Sequence, residues 1–178
     1  MNRKTLHLIS MLSLLLPGTV LAADSAKPPA PSVTVTFDHP EKFTDVKDSF
    51  MGTEKGRDGI LAQLKEYVED RAKSYLRSGQ KLEVKFTDID LAGDFEPQLG
   101  PRFQDVRMMK DIYIPRLKLE FKLTGADGKV INEGKRALTD LAYMMRAAFP
   151  SSDNLRFEKD ILSDWLRSDI KGPAKAAG

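Results

Sequence analysis

The sequence contains no cysteine and few of the residues that commonly carry out chemistry. Without cysteine there is no disulfide, no thiol nucleophile and no cysteine-ligated metal. His39 is the only histidine after the first 22 residues, so a catalytic triad or a zinc site would have to depend on that one side chain or do without histidine. Glycine-rich phosphate loops and dinucleotide-binding motifs are absent as well. The sequence therefore indicates no cofactor and no familiar catalytic constellation.

The first residues have the pattern of a secretory signal peptide. Arg3 and Lys4 precede an apolar run over residues 6–21, which ends in the small and aliphatic residues that signal peptidase recognises. The run is too short for a membrane span of about 20 apolar residues. We expect cleavage near Ala22 or Ala23, a periplasmic location, and no membrane span in the mature chain.

The net charge gives no indication of a nucleic-acid partner. The full chain has 28 basic and 26 acidic side chains. Two of the basic residues, Arg3 and Lys4, belong to the signal peptide, so the mature chain has no net charge. Nucleic-acid binding requires a positive excess gathered on one face. We therefore expect no nucleic-acid partner.

The remaining sequence divides into three parts. Residues 23–32 are rich in proline and polar side chains, which predicts a disordered leader. Residues 33–170 carry regular apolar patterns and have the length of one domain with one core. Residues 171–178 have no pattern, which predicts a disordered tail.

Apolar periodicity predicts six main elements in the domain. They are a strand over 33–37, a helix over 59–77, a strand from 82, a strand over 117–123 that extends back to 108, a strand over 130–138, and a helix opened by 150–153. Asp58 is expected to cap the first helix, and residues 124–128 form a hairpin turn. The order β-α-β-β-β-α predicts an α+β fold: a mostly antiparallel four-stranded sheet with two main helices packed on one face.

The second strand changes its apolar parity near its end. Leu82, Val84 and Phe86 are even-numbered, whereas Ile89 and Leu91 are odd-numbered. A strand has a period of two, so one face takes both sets only if an extra residue intervenes. We predict a bulge near Thr87-Asp88; the alternative is a strand that buries opposite faces at its two ends.

Four acids follow this change of parity, and we call residues 88–96 the acidic segment. They are Asp88, Asp90, Asp94 and Glu96. We expect these carboxylates to accept hydrogen bonds from turn backbone and to pair with basic side chains, fixing a bulged strand end against the sheet. The expected partners are Arg102, Arg107, Arg116 and Arg136.

Two further hypotheses assign the acidic segment a function. Asp88, Asp90 and Asp94 have part of the spacing of a calcium loop, but the bidentate glutamate of an EF-hand is missing. Asp94 and Glu96 are also candidates for the carboxylate pair of a hydrolase acting on envelope polymers, which requires one raised pKa.

Several sequence motifs resemble the bacterial family called domain of unknown function 3016. They are TDIDLAGDFEP at 87–97, Leu138-Thr-Asp140, and Asp164-Trp165-Leu166 within a match over roughly 33–167. The resemblance implies exported proteins of Gram-negative bacteria and supplies no catalytic residues. We therefore expect a non-enzymatic module of the cell envelope, whose sheet edge or acidic segment binds an envelope protein or polymer.

Overall fold

The computed structural model describes residues 29–146 and 152–171. The expected signal peptide, most of the leader and residues 172–178 lie outside the described residues. The elements are β1 (Ser32–Phe37), α1 (Glu54–Lys73), β2 (Lys81–Asp90), β3 (Asp94–Phe95), β4 (Arg107–Met108), β5 (Arg116–Thr124), β6 (Val130–Thr139), α2 (Tyr143–Arg146) and α3 (Arg156–Trp165). A π-helical turn, Leu166–Ile170, follows α3 directly.

Four strands form one sheet in the order β1-β2-β5-β6. The pairs β2–β5 and β5–β6 are antiparallel, as predicted, whereas β1 and β2 are parallel. The parallel pair follows from α1, because a helix between two neighbouring strands returns the chain to the end where the first strand began. The sheet is therefore mixed. A separate two-stranded ribbon joins β3 to β4.

The core lies between one face of this sheet and the helices α1 and α3, which confirms the predicted single α+β domain. Leu64 and Val68 from α1 and Leu162 and Leu166 from the last helical stretch are fully buried against the sheet. The inward residues of β2 and β5 alternate with charged residues that point away from the helices. No described helix is long and apolar enough to cross a membrane.

The first helix begins earlier than predicted. Its N-cap is Thr53, whose side chain accepts a hydrogen bond from the Gly56 N–H at 2.9 Å, and not Asp58. Gly56 and Gly59 have low helix propensity, which hides the first turns from a reading of the sequence. The helix also ends at Lys73, before the predicted bound of 77.

The predicted bulge in β2 is confirmed. The register against β5 shifts between Phe86 and Asp88, so Thr87 is the extra residue. As a result Phe86 and Ile89 are both fully buried in the same core, and the alternative of two opposite faces is wrong. The bulge lets the strand keep one apolar face up to the start of the acidic segment.

Two predicted boundaries differ in the structure. The third main strand begins at Arg116 and does not reach back to Met108, which instead pairs with Asp94 in the β3–β4 ribbon. At the N-terminus, β1 begins at Ser32, and the carbonyl of Pro29 accepts hydrogen bonds from Ser78 and Gly79. The last residues of the predicted leader are therefore held by the domain.

Candidate functional site

The first two acids of the acidic segment lie at the end of β2 and are paired. Lys118 Nζ is 3.0 Å from Asp88, which also accepts hydrogen bonds from the backbone and hydroxyl of Thr44. Burial raises the pKa of Asp88, but the bonds from Thr44 and Lys118 outweigh it and leave the pKa below its ordinary value. Asp90 pairs with Arg116 at 3.1 Å, and burial raises its pKa in spite of this partner.

Glu96 is buried and held by two donors. Lys110 Nζ lies 2.6 and 2.7 Å from its two carboxylate oxygens, and the Tyr113 hydroxyl donates at 2.6 Å. The hydrogen bonds from Lys110 and Tyr113 lower the pKa of Glu96, and the bond to Glu96 raises the pKa of Tyr113 to about 12. Glu96 is therefore an ionised structural anchor that ties the segment to the loop over 109–115.

Asp94 is in a different environment from Glu96. Its side chain is exposed and accepts the neighbouring Phe95 N–H at 2.7 Å. Asp94 lines a small depression beside Asp90 and Ile112, whereas Glu96 does not. A glycoside hydrolase requires an acid with a raised pKa opposite a second carboxylate. The lowered pKa of Glu96 and its separation from the Asp94 depression argue against this pair as a catalytic centre.

The acidic segment also does not form a calcium loop in the structure. Among residues 29–146 and 152–171, no three acidic or histidine side chains converge closely enough to hold a metal ion. Asp88 and Asp90 each bind a separate basic side chain instead. The described geometry therefore gives the calcium hypothesis no support.

The four arginines expected to hold the segment have different positions. Arg116 pairs with Asp90, and Arg107 donates to the carbonyl of Gly93 at 2.9 Å. Arg136 lies on β6, which β5 separates from β2, and pairs with Asp169 at 2.6 Å and not with an acid of the segment. Arg102 is exposed and has no hydrogen-bond or ion-pair partner within the described part of the chain.

Arg107 is the centre of a network that the sequence alone did not reveal. Its guanidinium donates to Asp45 at 2.6 Å and to the carbonyl of Lys47 at 2.9 Å, and it lies over the Phe95 ring at 4.6 Å. The Asp45 backbone in turn bonds to the end of β2 at Ile89 and Leu91. Phe43 and Val46 are apolar residues on either side of Asp45, and this is the sequence signal that the loop around Asp45 packs against the core.

Glu158 is a second residue to which the sequence assigned no role. It lies on the buried face of α3 and is 1% exposed. One carboxylate oxygen accepts the Ala92 N–H at 2.7 Å, and the other has no hydrogen-bond partner among the described residues. Burial raises the pKa of Glu158. Its spacing of three residues from Leu155 and Ile161 places it in the apolar stripe of the helix, which is the signal that could have identified it.

The apolar residues of the acidic segment, Leu91, Ala92 and Phe95, form one wall of a cleft. The cleft has a volume of about 960 Å³ and lies between the first turns of α1, the β3–β4 ribbon and the start of α3. Its apolar lining is Ile60, Leu91, Ala92, Phe95, Val106, Met109 and Leu155, and its basic lining is Lys47, Lys55, Arg107 and Lys159. The apolar residues of the segment thus build the cleft, while Asp88 and Asp90 point elsewhere and are paired.

The polar groups of the cleft differ in how far the protein satisfies them. Asp48 accepts from the backbone and hydroxyl of Thr53, and Asp153 pairs with Lys159 at 2.6 Å. Lys47 and Lys55 are exposed and have no ion-pair partner among the described residues. The cleft therefore has ammonium donors without acceptors beside an apolar wall. Such a site is suited to a ligand that has both an apolar part and acceptor oxygens.

Comparison with known proteins gives a family and no function. No curated protein matches the chain. A family model described as "Protein of unknown function (DUF3016)" matches residues 31–168, which include the acidic segment, the cleft and both main helices. The chain therefore belongs to the DUF3016 family of proteins of unknown function.

Proposed function

We propose that this protein is an exported, periplasmic binding module that holds an anionic, partly apolar component of the cell envelope in the cleft between α1, α3 and the acidic segment. The observation that carries the proposal is the combination of an apolar wall with two lysines, Lys47 and Lys55, that have no acceptor among the described residues. The periplasmic location rests on the signal-peptide pattern of the first 22 residues.

The lining of the cleft favours binding over catalysis. Its acids are used by the protein itself: Asp48 bonds to Thr53 at the start of α1, and Asp105 accepts the Phe50 N–H at 3.3 Å. Burial raises the pKa of Asp48, but hydrogen bonds from Thr53 and from neighbouring groups together outweigh it and leave the pKa below its ordinary value, which makes Asp48 a poor general acid at neutral pH. The donors that remain are lysines, which attract carboxylate, phosphate or sulfate oxygens.

The surroundings of the cleft extend its apolar surface. Val106 lines the cleft and is 45% exposed, and Phe50, whose backbone bonds to Asp105, is 42% exposed. The amino ends of α1 and α3 also face the cleft, and helix amino ends favour negative charge. An amphiphile that places its anionic group at Lys47 and Lys55 and its apolar part along Leu91 and Phe95 would use both features.

The test uses the mature chain and 8-anilinonaphthalene-1-sulfonate, a fluorescent sulfonate with an apolar body. We expect saturable binding that dodecyl sulfate displaces better than the uncharged decyl maltoside, both below their micelle concentrations. The variant Lys47→Gln/Lys55→Gln should weaken binding by about tenfold or more, since each bond to a charged group contributes about 1.5 kcal/mol. The control Lys42→Gln/Lys81→Gln removes two exposed lysines outside the cleft and should bind as wild type.

Two results would contradict the proposal. Equal affinity in the cleft variant and the wild type would show that the two lysines hold no ligand. Equal displacement by the charged and uncharged detergents would remove the anionic part of the ligand from the proposal. Export is tested separately, by fractionating cells and sequencing the N-terminus of the periplasmic protein, where an uncleaved cytoplasmic chain would be evidence against it.

A further inference from the structure

The face of the sheet that points away from the helices carries two rows of charged side chains that cross the strands. The first row is Lys85, Glu120 and Lys135, and the second row is Glu83, Lys122 and Glu133. Glu120 pairs with Lys85 at 3.0 Å and with Lys135 at 2.6 Å. The sign of the charge therefore alternates from strand to strand in both rows.

Both rows stop at β6, the last strand of the sheet. No described strand pairs with the outer edge of β6, which is ten residues long. The first row ends there with a positive charge at Lys135, and the second ends with a negative charge at Glu133. Gly134 lies between them. An edge strand with free backbone groups is a template for another strand.

We propose that β6 pairs with β6 of a second copy of this chain, antiparallel, about a two-fold axis that passes Gly134. This register places Glu133 opposite Lys135 of the second copy, and Lys135 opposite Glu133 of the second copy. Each row then continues across the junction without a break in alternation, because the first row of one copy meets the second row of the other. The result is an eight-stranded sheet with the helices of both copies on one side.

Other registers of the same pairing are less favourable. A shift of one residue opposes odd-numbered to even-numbered positions, which puts the open face of one copy beside the helix face of the other. A shift that centres the axis on residue 133 or 135 places Glu133 or Lys135 directly opposite itself, and like charges in that position are destabilising. The register about Gly134 is the one that keeps the faces together and pairs opposite charges.

The helix side of β6 is compatible with this contact. Asn132 donates to the carbonyl of Asp169 at 2.9 Å, and Arg136 pairs with the Asp169 carboxylate. Asn132 is thereby held over the core of its own copy, whereas Arg136 Nη1 also donates to the Lys135 carbonyl at 2.9 Å. A carbonyl oxygen has two lone pairs, so the pairing requires the Lys135 carbonyl to accept a second hydrogen bond. The absence of a side chain at Gly134 leaves room for the Arg136 guanidinium of the same chain, whose Nη1 would lie 2.9 Å from a Cβ at this position.

The charge pattern also identifies the occupant as a second copy. A peptide of unrelated sequence would complement this edge only by carrying a matching pair of charges at the same spacing, whereas β6 complements itself. The contact lies on the far strand of the sheet and shares no residue with the cleft described above. It is therefore independent of the proposed ligand.

The experiment is sedimentation velocity on the mature chain over a concentration series. We expect a dimer for wild type and a dissociation constant at least about tenfold weaker for Glu133→Lys and for Lys135→Glu alone, since each variant places two pairs of like charges across the junction. An equimolar mixture of the two variants should recover the dimer, because every opposed pair is again of opposite sign. Glu83→Lys changes the same charge within the sheet and should leave the dimer unchanged.

A monomeric wild-type chain, or a mixture that fails to recover the dimer, would overturn the proposal. Far-UV circular dichroism establishes that each variant is folded. Hydrogen exchange gives a second measurement that needs no variant: outward amides of β6 should become protected as the concentration of wild-type protein rises. Exchange that is independent of concentration would also count against self-pairing.

Discussion

Replacing Arg107 by alanine is the sharpest test of how the acidic segment is held. The guanidinium connects two backbone carbonyls, one carboxylate and one ring: it donates to the carbonyls of Lys47 and Gly93 and to the Asp45 carboxylate, and it lies over the Phe95 ring. Alanine leaves Asp45, which is 8% exposed, without its cationic partner. Breaking a buried ion pair by removing one partner costs about 3–5 kcal/mol.

The expected loss is large relative to the whole stability of a domain, which is about 5–15 kcal/mol. Arg107→Lys keeps the charge but not the planar fork that reaches Asp45 and Gly93 together, so we expect a smaller loss, about 1–2 kcal/mol. Urea unfolding followed by far-UV circular dichroism measures both variants. Equal slopes against urea would allow the free energies of unfolding to be compared directly.

A double-mutant cycle separates the ion pair from the other contacts of Arg107. Asp45→Asn removes the buried charge, so Arg107→Ala should cost less in that background, with a coupling energy of about 1–3 kcal/mol. A loss below about 1 kcal/mol for Arg107→Ala alone, or strictly additive effects in the cycle, would refute the assignment of Arg107 as the central anchor.

Three further predictions test the bulge, the buried glutamate and the tight turn. Deleting Thr87 removes the extra residue and leaves Phe86 and Ile89 in regular alternation, so it should cost less than about 2 kcal/mol of unfolding free energy. Deleting Lys85 instead moves Phe86 off the face of Val84 and should cost about 3–5 kcal/mol; equal effects of the two deletions would contradict the assignment of Thr87 as the extra residue. Burial raises the pKa of Glu158 in the folded protein above 4.5, so the wild-type protein loses stability as the pH rises from 4.5 toward that folded pKa. The free energy of unfolding of Glu158→Gln, measured in urea, should therefore rise relative to that of wild type between about pH 4.5 and 7.5. A difference between the two proteins that does not change with pH would disprove this linkage. Gly93→Ala should lower the free energy of unfolding by more than about 1 kcal/mol, because Gly93 has a φ of +76° and a Cβ there would lie 2.7 Å from Met109 Sδ. Gly100 also has a positive φ but no atom near its Cβ position, so Gly100→Ala should lose less stability. Thermal melts in which Gly100→Ala is the less stable of the two variants would refute this explanation.

The fold could be predicted from the sequence to the extent that periodicity determines it. The change of parity between Phe86 and Ile89 required an extra residue, and Thr87 is that residue. The start of α1 could not be read in the same way, because Gly56 and Gly59 weaken the helical signal in the turns that Thr53 caps. Parallel pairing of β1 with β2 is a tertiary outcome that no pattern within either strand specifies.

The candidate site was less predictable because long side chains reach many partners. Arginine was expected to hold Glu96, but Lys110 and Tyr113 hold it. Asp45 lies 62 residues from Arg107 in sequence, and no motif connects them. The cleft is formed by parts of the chain that meet only in the folded protein, so its lining could not be assembled from a linear reading.

The position of β2 between a parallel and an antiparallel neighbour has a consequence for the order of folding. The β5–β6 hairpin closes through a turn of a few residues at Gly125–Lys129, so its contacts form at little entropic cost. Among the described strands β1 pairs with β2 alone, and this pairing encloses α1 and two loops, so its closure has a high entropic cost. We expect the N-terminal strand to be the last one secured: φ-values should be high at Leu119 in β5 and low at Val35 in β1, and the reverse order would show that folding begins at the N-terminus.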